Sequence, residues 1–375
     1  MENIQNVNSQ EAPRPAAKYF VWLDWLRFAA AFMVLLVHAR RFSFVEYGAL
    51  EASDKTGLTM IWFAFTRIGH EAVIVFFVLS GFLVGGKVIE RVVSQNFDWR
   101  SYSIDRVSRI IVPMFPAIIL AVAVDIFFGH PPAVINVIGT SLLLQQVIPG
   151  VSGMKTIAPL WSLAYEVWFY GLAAALAVAV LRRPVPPRMA LAILFLTLVI
   201  FTKLSTVYLF CWAIGALVYL YPRERFSRYE TVLGIAMISA GLVMYQISTA
   251  SRSIHFSGWI SMMGDRQIGE LVISSGVALL IRNLCTVVEY HGELSFLGNL
   301  GGKLAAFSYT LYPIHYPILT AIRNMGYKAE TSISSQSLGL FSVRILVCLS
   351  SSYMFYWIFE RNTPAVREYM RNKLL

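Results

Sequence analysis

Two ionisable residues, Arg27 and His38, lie eleven positions apart in one strongly apolar segment, residues 22–42. An apolar run of this length can cross a bilayer as a helix, and an ionisable side chain within such a helix is costly enough to indicate a function. Eleven residues are about three helical turns, so both side chains project from one face, roughly 16 Å apart along the axis. The spacing predicts a spanning helix with a cation near one membrane face and a proton-transfer group near the other.

A carboxylate, Glu166, lies in a second apolar segment, residues 159–170. If that helix starts on the outer side, Glu166 comes about one and a half turns below the start, at the depth that His38 reaches. An imidazole oriented by a carboxylate is a common general base. We therefore predict that His38 and Glu166 are catalytic; the alternative is that each is a buried polar group satisfied by a neighbouring helix.

Two arginines, Arg106 and Arg109, come three residues apart immediately before another apolar run. At this spacing both guanidinium groups lie on one helix face near a helix N-terminus, where a phosphate group binds well. The alternative is that they are juxtamembrane orientation signals, which most membrane proteins carry.

Four further polar or small residues lie in the segment before these arginines. Ser80 and Gly81 follow an aromatic run, where small residues usually permit close helix packing and where a serine nucleophile would need a base in contact. His70 and Glu71 come earlier in the same run, after Arg67. This cluster predicts either a watery outer vestibule or ordinary interfacial anchoring.

Near the end of the chain, Tyr309, Tyr312 and His315 recur at intervals of three residues. One helix face therefore carries two phenols and an imidazole at mid-membrane depth. Pro313 and Pro317 remove ladder hydrogen bonds and are expected to bend or break the helix, and irregular backbone at that depth usually lines a cavity. The alternative is aromatic packing around a satisfied histidine.

The composition indicates the kind of fold that positions these groups. Hydrophobic residues make up 57% of the chain and charged residues 14%, with a mean hydropathy of +0.62, whereas soluble domains carry about 25% charged residues. We predict an all-α, polytopic transmembrane bundle of about ten helices. The candidate spans lie near residues 21–41, 61–84, 110–129, 160–181, 189–203, 206–221, 230–249, 267–282, 304–324 and 339–359. Residues 133–149 are expected to form a re-entrant or interfacial piece.

Orientation follows from the basic residues. Most of the 31 Lys and Arg fall on the side that is cytosolic if both termini are inside, so topology accounts for the net charge of +10 without nucleic acid. We expect a cytosolic polar tail without a signal peptide at 1–18, a transmembrane domain at 19–364 and a cytosolic basic tail at 365–375. The three cysteines lack metal or disulfide spacing, so no metal site is predicted.

Taken together and in order, these motifs resemble the signatures of the integral-membrane acyltransferase-3 family, from about residue 19 to 364. The matching motifs are Arg27-x10-His38, Phe76-Phe77-x2-Ser80-Gly81-Phe82-Leu83, Arg106-x2-Arg109, Trp161-Ser162-Leu163-x2-Glu166-x2-Phe169-Tyr170, Ser308-Tyr309-x-Leu311-Tyr312-x2-His315-x-Pro317 and Glu360-Arg361. The likeness is to a stand-alone form, because the extracytoplasmic hydrolase-like domain of many relatives is not expected here. The usual tight Glu-Arg-Pro ending is also stretched, since Pro364 follows two intervening residues.

The resemblance implies a multi-pass enzyme of the bacterial inner membrane that transfers an acyl group, usually acetyl from acetyl-CoA, to a hydroxyl of a carbohydrate or lipid-linked glycan. It implies that His38 is essential and that Arg106 and Arg109 handle the donor. Arg27, on the His38 face but nearer the cytosol, is then expected to steer acyl-CoA. The predicted donor site comprises Arg27, Arg106, Arg109, Ser80 and Gly81, and the remaining cavity residues are Trp161, Ser162, His70, Glu71, Tyr309, Tyr312 and His315.

Two alternatives remain open at this stage. A bundle with intramembrane His, Glu and Arg is also typical of a proton-coupled transporter or a flippase of a lipid-linked glycan. Within the family, succinyl or a longer acyl group could replace acetyl. His38 could deprotonate the acceptor hydroxyl or carry the acyl group itself.

Overall fold

The computed structural model describes residues 18–181, 186–250, 266–290 and 295–375. Within them the chain is helical apart from one antiparallel pair of two-residue strands, β1 (Lys18–Tyr19) and β2 (Glu289–Tyr290). The helices are α1 Val21–Ser43, α2 Gly57–Phe65, α3 Gly69–Ser80, α4 Lys87–Val93, α5 Trp99–Phe127, α6 Val134–Ser141, α7 Leu160–Leu181, α8 Pro187–Phe201, α9 Thr206–Leu220, α10 Arg228–Ala250, α11 Arg266–Leu284, α12 Phe296–Asn324, α13 Ser335–Ile358 and α14 Thr363–Leu374. Nine of the ten apolar segments predicted from the sequence each fall on one helix, and the segment 61–84 is divided between α2 and α3.

Six helical stretches in the described ranges are long and apolar enough to cross a membrane: Val21–Ser43, Gly57–Val93, Trp99–Phe127, Leu160–Leu181, Arg228–Ile247 and Ser335–Leu374. α8 and α9 are apolar but shorter. The protein is therefore an integral membrane protein built from helices. The count of ten crossings and the cytosolic location of both termini stay predictions.

A turn at residues 66–68 divides the apolar stretch that the sequence predicts as one span at 61–84. The Thr66 hydroxyl donates to the Trp62 carbonyl at 2.8 Å at the end of α2, and Gly69 then begins α3 directly against α1. A Cβ at Gly69 would lie 2.7 Å from Cγ2 of Val37. Only glycine allows this close approach, which brings the α2–α3 turn against the C-terminal half of α1.

Helix α3 continues through a π-helical stretch, Gly81–Gly86, into α4. Here it packs tightly against α9: a Cβ at Gly81 would lie 1.8 Å from the carbonyl oxygen of Trp212, and one at Gly215 would lie 2.0 Å from that of Val78. Small residues on both helices allow this backbone contact. Gly81 was predicted to help bind the donor, but the structure shows the alternative role, close helix packing.

Helix α12 runs without interruption through Pro313 and Pro317. The expectation that these prolines break the helix is wrong. Each proline removes only its own N–H donor, and α12 is held by packing on both sides, since Leu311, Ile314 and Leu319 have no exposed surface. The helix therefore carries Tyr309, Tyr312 and His315 in regular register. Residues 133–149 form the short helix α6 followed by irregular backbone.

Candidate active site

A first cavity, of about 310 Å³, lies between α1, α3, α5, α7 and α12, and is called the basic cavity here. It reaches the surface at the exposed residues Lys87 and Arg91. The cations that line it are Arg27, Lys87, Arg91, Arg106 and Arg109, and Glu166 is its carboxylate. Five cations face one anion, so the cavity is suited to a ligand with several negative charges.

Aromatic rings, rather than carboxylates, hold Arg106 and Arg109 of α5. The guanidinium of Arg106 lies 5.9 Å from the ring centre of Tyr102 and 5.7 Å from that of Tyr170, and the guanidinium of Arg109 lies 5.9 Å from that of Tyr309. Among the described residues neither arginine forms an ion pair, and Nε of Arg106 is buried without a hydrogen-bond partner. Their donors are therefore free to bind an anion.

The helix N-terminus itself does not contribute to this site. Asp98 caps α5 by accepting hydrogen bonds from the backbone N–H groups of Arg100 and Ser101, both at 3.1 Å. Arg106 lies seven residues into the helix, about two turns beyond the cap. The expectation of a phosphate site at the helix N-terminus is wrong, because a side chain already occupies the free N–H groups; the arginine side chains lie deeper.

Arg27 joins the same cavity from α1. Its guanidinium donates to Asp24 one turn earlier, at 2.9 Å, and lies near enough to Arg109 for the two charges to repel. A multivalent anion between them would relieve this repulsion. Glu360, in the 3₁₀ turn after α13, accepts hydrogen bonds from the backbone N–H and hydroxyl of Thr310 and so fixes the neighbouring turn of α12.

A chain of hydrogen bonds orients Glu166. The indole of Trp212 donates to the Ser80 hydroxyl at 3.3 Å, Ser80 donates to the Tyr170 hydroxyl at 3.3 Å, and Tyr170 donates to Glu166. Ser80 is therefore occupied by a phenol and an indole and has no contact with a base in the described part of the chain. A nucleophilic role for Ser80 has no geometric support; its hydroxyl helps to position the carboxylate.

A second cavity, of about 200 Å³, lies at the other end of α1 and is called the histidine cavity here. It reaches the surface at the exposed residues Arg41 and Arg67. Its lining residues include His38, Arg41, Arg67, His70, Pro159, Trp161, Tyr245 and Tyr312. An adjoining space of about 340 Å³ shares His38 and Arg41 and adds Tyr316 and Arg323.

His38 pairs with another histidine and not with Glu166. Nδ1 of His38 lies 2.9 Å from Nε2 of His315, and Nδ1 of His315 lies 2.8 Å from the Leu311 carbonyl. A carbonyl can only accept, so neutral His315 carries its proton on Nδ1 and accepts at Nε2. His38 must then donate from Nδ1, which leaves its Nε2 lone pair free. The expected His38–Glu166 pair is wrong, because the carboxylate faces the basic cavity.

Tyr312 lines both cavities and separates them. Its hydroxyl donates to the Pro159 carbonyl at 2.8 Å and lies 2.5 Å from Oγ of Ser162, so the phenol is fastened to the first turn of α7. The ring also packs edge-on against Phe76, with 5.9 Å between ring centres. One aromatic side chain thus forms the partition between a polyanion site and a base.

His70 lies at the side of the histidine cavity within a polar network. Its Nε2 is 2.7 Å from Oε1 of Glu270, and Arg266 donates to the same carboxylate oxygen at 2.9 Å. The imidazole is stacked between Trp161 and Tyr245, with ring centres 5.9 and 5.3 Å away.

Glu71 behaves differently from its neighbour His70. It is only 2% exposed and lines neither cavity, and its carboxylate oxygens have no hydrogen-bond partner among the described residues. Of the predicted cluster, Arg67 and His70 line this cavity and Glu71 does not.

A family model described as an acyltransferase domain, that of the acyltransferase-3 family, matches residues 20–360. The chain belongs to the acyltransferase-3 family. Comparisons with curated proteins and with solved structures found no match. As a member of this family the protein is an acyltransferase, which transfers an acyl group to a hydroxyl of an acceptor, and the matched residues contain both cavities.

Sequence reasoning missed several residues of this acyltransferase-3 site. Lys87 and Arg91 were counted only as topology signals, although their i,i+4 spacing on α4 puts both on one helix face. Glu270 was not singled out, although Arg266 and Glu270 show the same spacing in a mostly apolar helix. In each case the signal was two charged residues at i,i+4 spacing on one face of a helix.

Proposed function

We propose that this acyltransferase moves an acetyl group from acetyl-CoA in the basic cavity to a hydroxyl of a carbohydrate or lipid-linked glycan in the histidine cavity, in the bacterial inner membrane. One observation carries the proposal: two cavities that reach opposite ends of the bundle meet at Tyr312, next to a histidine with a free ring nitrogen. Such an arrangement lets a donor and an acceptor approach one another from different compartments.

The donor assignment rests on charge. Coenzyme A carries several phosphate charges at one end and the thioester at the other. Arg106 and Arg109 offer guanidinium donors that form no ion pair with any described residue, and Lys87 and Arg91 extend the basic surface to the cavity mouth. Phosphate binding there would leave the pantetheine arm to reach toward Tyr312.

The chemistry follows from the free Nε2 of His38. In the direct route this nitrogen removes the proton from the acceptor hydroxyl, the oxygen attacks the thioester carbonyl, and the new C–O bond replaces the C–S bond. The CoA thiolate then takes the proton from the His38 imidazolium. In the two-step route Nε2 itself attacks the carbonyl, and the C–S bond breaks to release CoA as the thiolate. The acceptor hydroxyl then attacks the acyl-imidazole, its proton passes to the thiolate, and His38 is regenerated as the neutral imidazole. Both routes require Nδ1 to stay protonated, which the bond to His315 favours.

Two measurements test the proposal. Purified protein with acetyl-CoA and an acceptor glycan should release free CoA, whereas a transporter would not break the thioester. Mass spectrometry of surface glycans from cells with and without the gene should then show an added acetyl group. A mass difference that corresponds to succinyl would keep the enzyme class and correct the donor, and intact acetyl-CoA with unchanged glycans would overturn the proposal.

A further inference from the structure

Three arginines line the histidine cavity or the space that adjoins it, and none has a carboxylate partner among the described residues; Arg323 also packs over the Phe42 ring, 4.9 Å from its centre. Arg41 lies one turn after His38 on α1, Arg67 lies in the α2–α3 turn, and Arg323 lies near the end of α12. Each side chain is exposed, and none forms an ion pair or a hydrogen bond with the described part of the chain. Three separate elements therefore direct unneutralised cations at one space.

Carboxylates near this space do not cancel the charge. Glu270 is already bound to Arg266 and His70, and Glu46 is bound to Arg40. Glu71 is buried and does not line the cavity, although its carboxylate lies near enough to Arg67 for the two charges to interact, which leaves Arg41 and Arg323 without such a carboxylate. Among the described residues, the cavity wall contains Arg41 and Arg67 and no acidic residue.

Membrane topology does not explain these arginines. If the basic cavity opens to the cytosol, the histidine cavity opens on the opposite side, where Lys and Arg are normally depleted. The local fold places Arg67 at the cavity, because the close contact of Gly69 with Val37 holds the turn that contains Arg67 beside α1. Unpaired guanidinium groups around a cavity are suited to bidentate binding of phosphate or carboxylate.

We infer that the histidine cavity takes an anionic acceptor: a sugar that carries a phosphate or a carboxylate close to the hydroxyl that is acylated. The inference rests on the proposed function and narrows its acceptor class. Arg41 and Arg67 bind the anionic group, Arg323 contacts it or the next anionic unit at the mouth, and Nε2 of His38 faces the neutral hydroxyl. A neutral sugar would leave the arginines unsatisfied and bind weakly.

Competition kinetics test this. Full-length protein in phosphatidylcholine vesicles is assayed with labelled acetyl-CoA and the glycan fraction of cells lacking the gene, while glucose, glucose 6-phosphate or glucuronate is added. We expect the two anionic sugars to inhibit and glucose at equal concentration not to inhibit. Arg41→Gln and Arg67→Gln should raise the anion's inhibition constant about tenfold or more. Whichever anion inhibits more strongly identifies phosphate or carboxylate as the recognised group.

Three controls keep the outcomes distinct. Lys328→Gln removes a cation at the same end of the molecule that lines neither cavity, and should leave inhibition unchanged. Saturating acetyl-CoA should not relieve the inhibition, which separates it from anion binding in the basic cavity. Repeating the assay with phosphatidylglycerol in the vesicles tests lipid binding.

The inference is overturned if glucose inhibits as well as the anions, if the arginine variants match wild type, or if they differ from it only in anionic vesicles. In the last case the arginines bind lipid headgroups. Failure of the wild-type protein to cleave acetyl-CoA would instead count against the proposed function itself.

Discussion

The two cavities are built in opposite ways. In the basic cavity Arg106 and Arg109 of α5 lie against tyrosine rings and have no carboxylate partner among the described residues, so their donors are free to bind a ligand. In the histidine cavity the imidazoles are fixed by protein partners, His38 by His315 and His70 by Glu270. Unpaired guanidinium donors are suited to binding a ligand with several negative charges, whereas hydrogen-bonded imidazoles are suited to proton transfer at a fixed nitrogen. The comparison predicts that substitutions in the basic cavity weaken donor binding, whereas substitutions in the histidine cavity slow the chemical step.

The largest effect is expected at His38. His38→Ala should lower kcat by about 10²- to 10⁴-fold, the range that a positioned general base contributes, and more if the imidazole carries the acyl group. His38→Gln should lose as much with less change in volume. Glycan acylation by mass spectrometry, with membrane abundance of the protein as the control, measures this. Substantial activity in either variant would exclude His38 as base or carrier.

The next effect is expected at His315, which holds the tautomer of His38. His315→Ala removes the acceptor for the Nδ1 proton and should lower kcat about 5- to 100-fold, corresponding to about 1–3 kcal/mol, while KM for acetyl-CoA stays unchanged. His315→Gln can still accept that proton through its side-chain oxygen and should recover part of the rate. If alanine and glutamine variants lose equal rate, or if KM for acetyl-CoA rises, His315 does not act by positioning His38.

A binding effect is expected in the basic cavity. Arg109→Lys keeps the charge but loses the bidentate fork, so the apparent constant for acyl-CoA should rise about 10- to 100-fold. Saturating acyl-CoA should rescue this variant and should not rescue His38→Ala. Equal loss of maximal rate in both, with unchanged CoA binding by calorimetry, would show that the arginine is only a topology signal.

The smallest effect is expected at the partition. Tyr312→Phe keeps the ring and removes the bonds to Pro159 and Ser162, so stability should fall by about 0.5–1.5 kcal/mol with little change in transfer. Tyr312→Ala removes the ring and should raise hydrolysis of acetyl-CoA without acceptor, because water from the histidine cavity can reach the thioester. Thermal unfolding measures the stability of Tyr312→Phe, and CoA release without acceptor measures hydrolysis by Tyr312→Ala. Unchanged hydrolysis in Tyr312→Ala would mean that the ring does not separate the cavities.

The sequence located the helices well and the contacts between them poorly. Apolar runs identify buried segments regardless of neighbours, so the helices containing Arg27 and Glu166 were found with nearly correct bounds, whereas the helix containing His315 begins at Phe296 and not at the predicted residue 304. Spacing along one helix does not give its rotation relative to another. For this reason Glu166 was assigned to His38, although the partner of His38 lies 277 residues away on α12.

Local signals worked where both members of a contact lie on one helix. Arg106 and Arg109 were correctly expected on one face, and both line the basic cavity. The sequence analysis overestimated the tendency of proline to break this helix, because sequence alone does not show that α12 is packed on both sides of Pro313 and Pro317. Contacts between helices decided the two points that spacing along one helix left open, the partner of His38 and the continuity of α12 at its prolines.

The single ring between the cavities also has an electrical consequence. If the two cavities open to opposite faces of the membrane, as proposed, water in them carries the potential of each compartment inward, and the membrane voltage falls mainly across the short span of protein at Tyr312. Moving one elementary charge through the full voltage is worth about 2.3 kcal/mol for every ~100 mV. His38 lies at the edge of this focused field, and any proton that passes through it between the compartments is driven by the energised membrane. Under the proposed function, the phenol that separates the two substrates would then also limit proton leak between the two compartments.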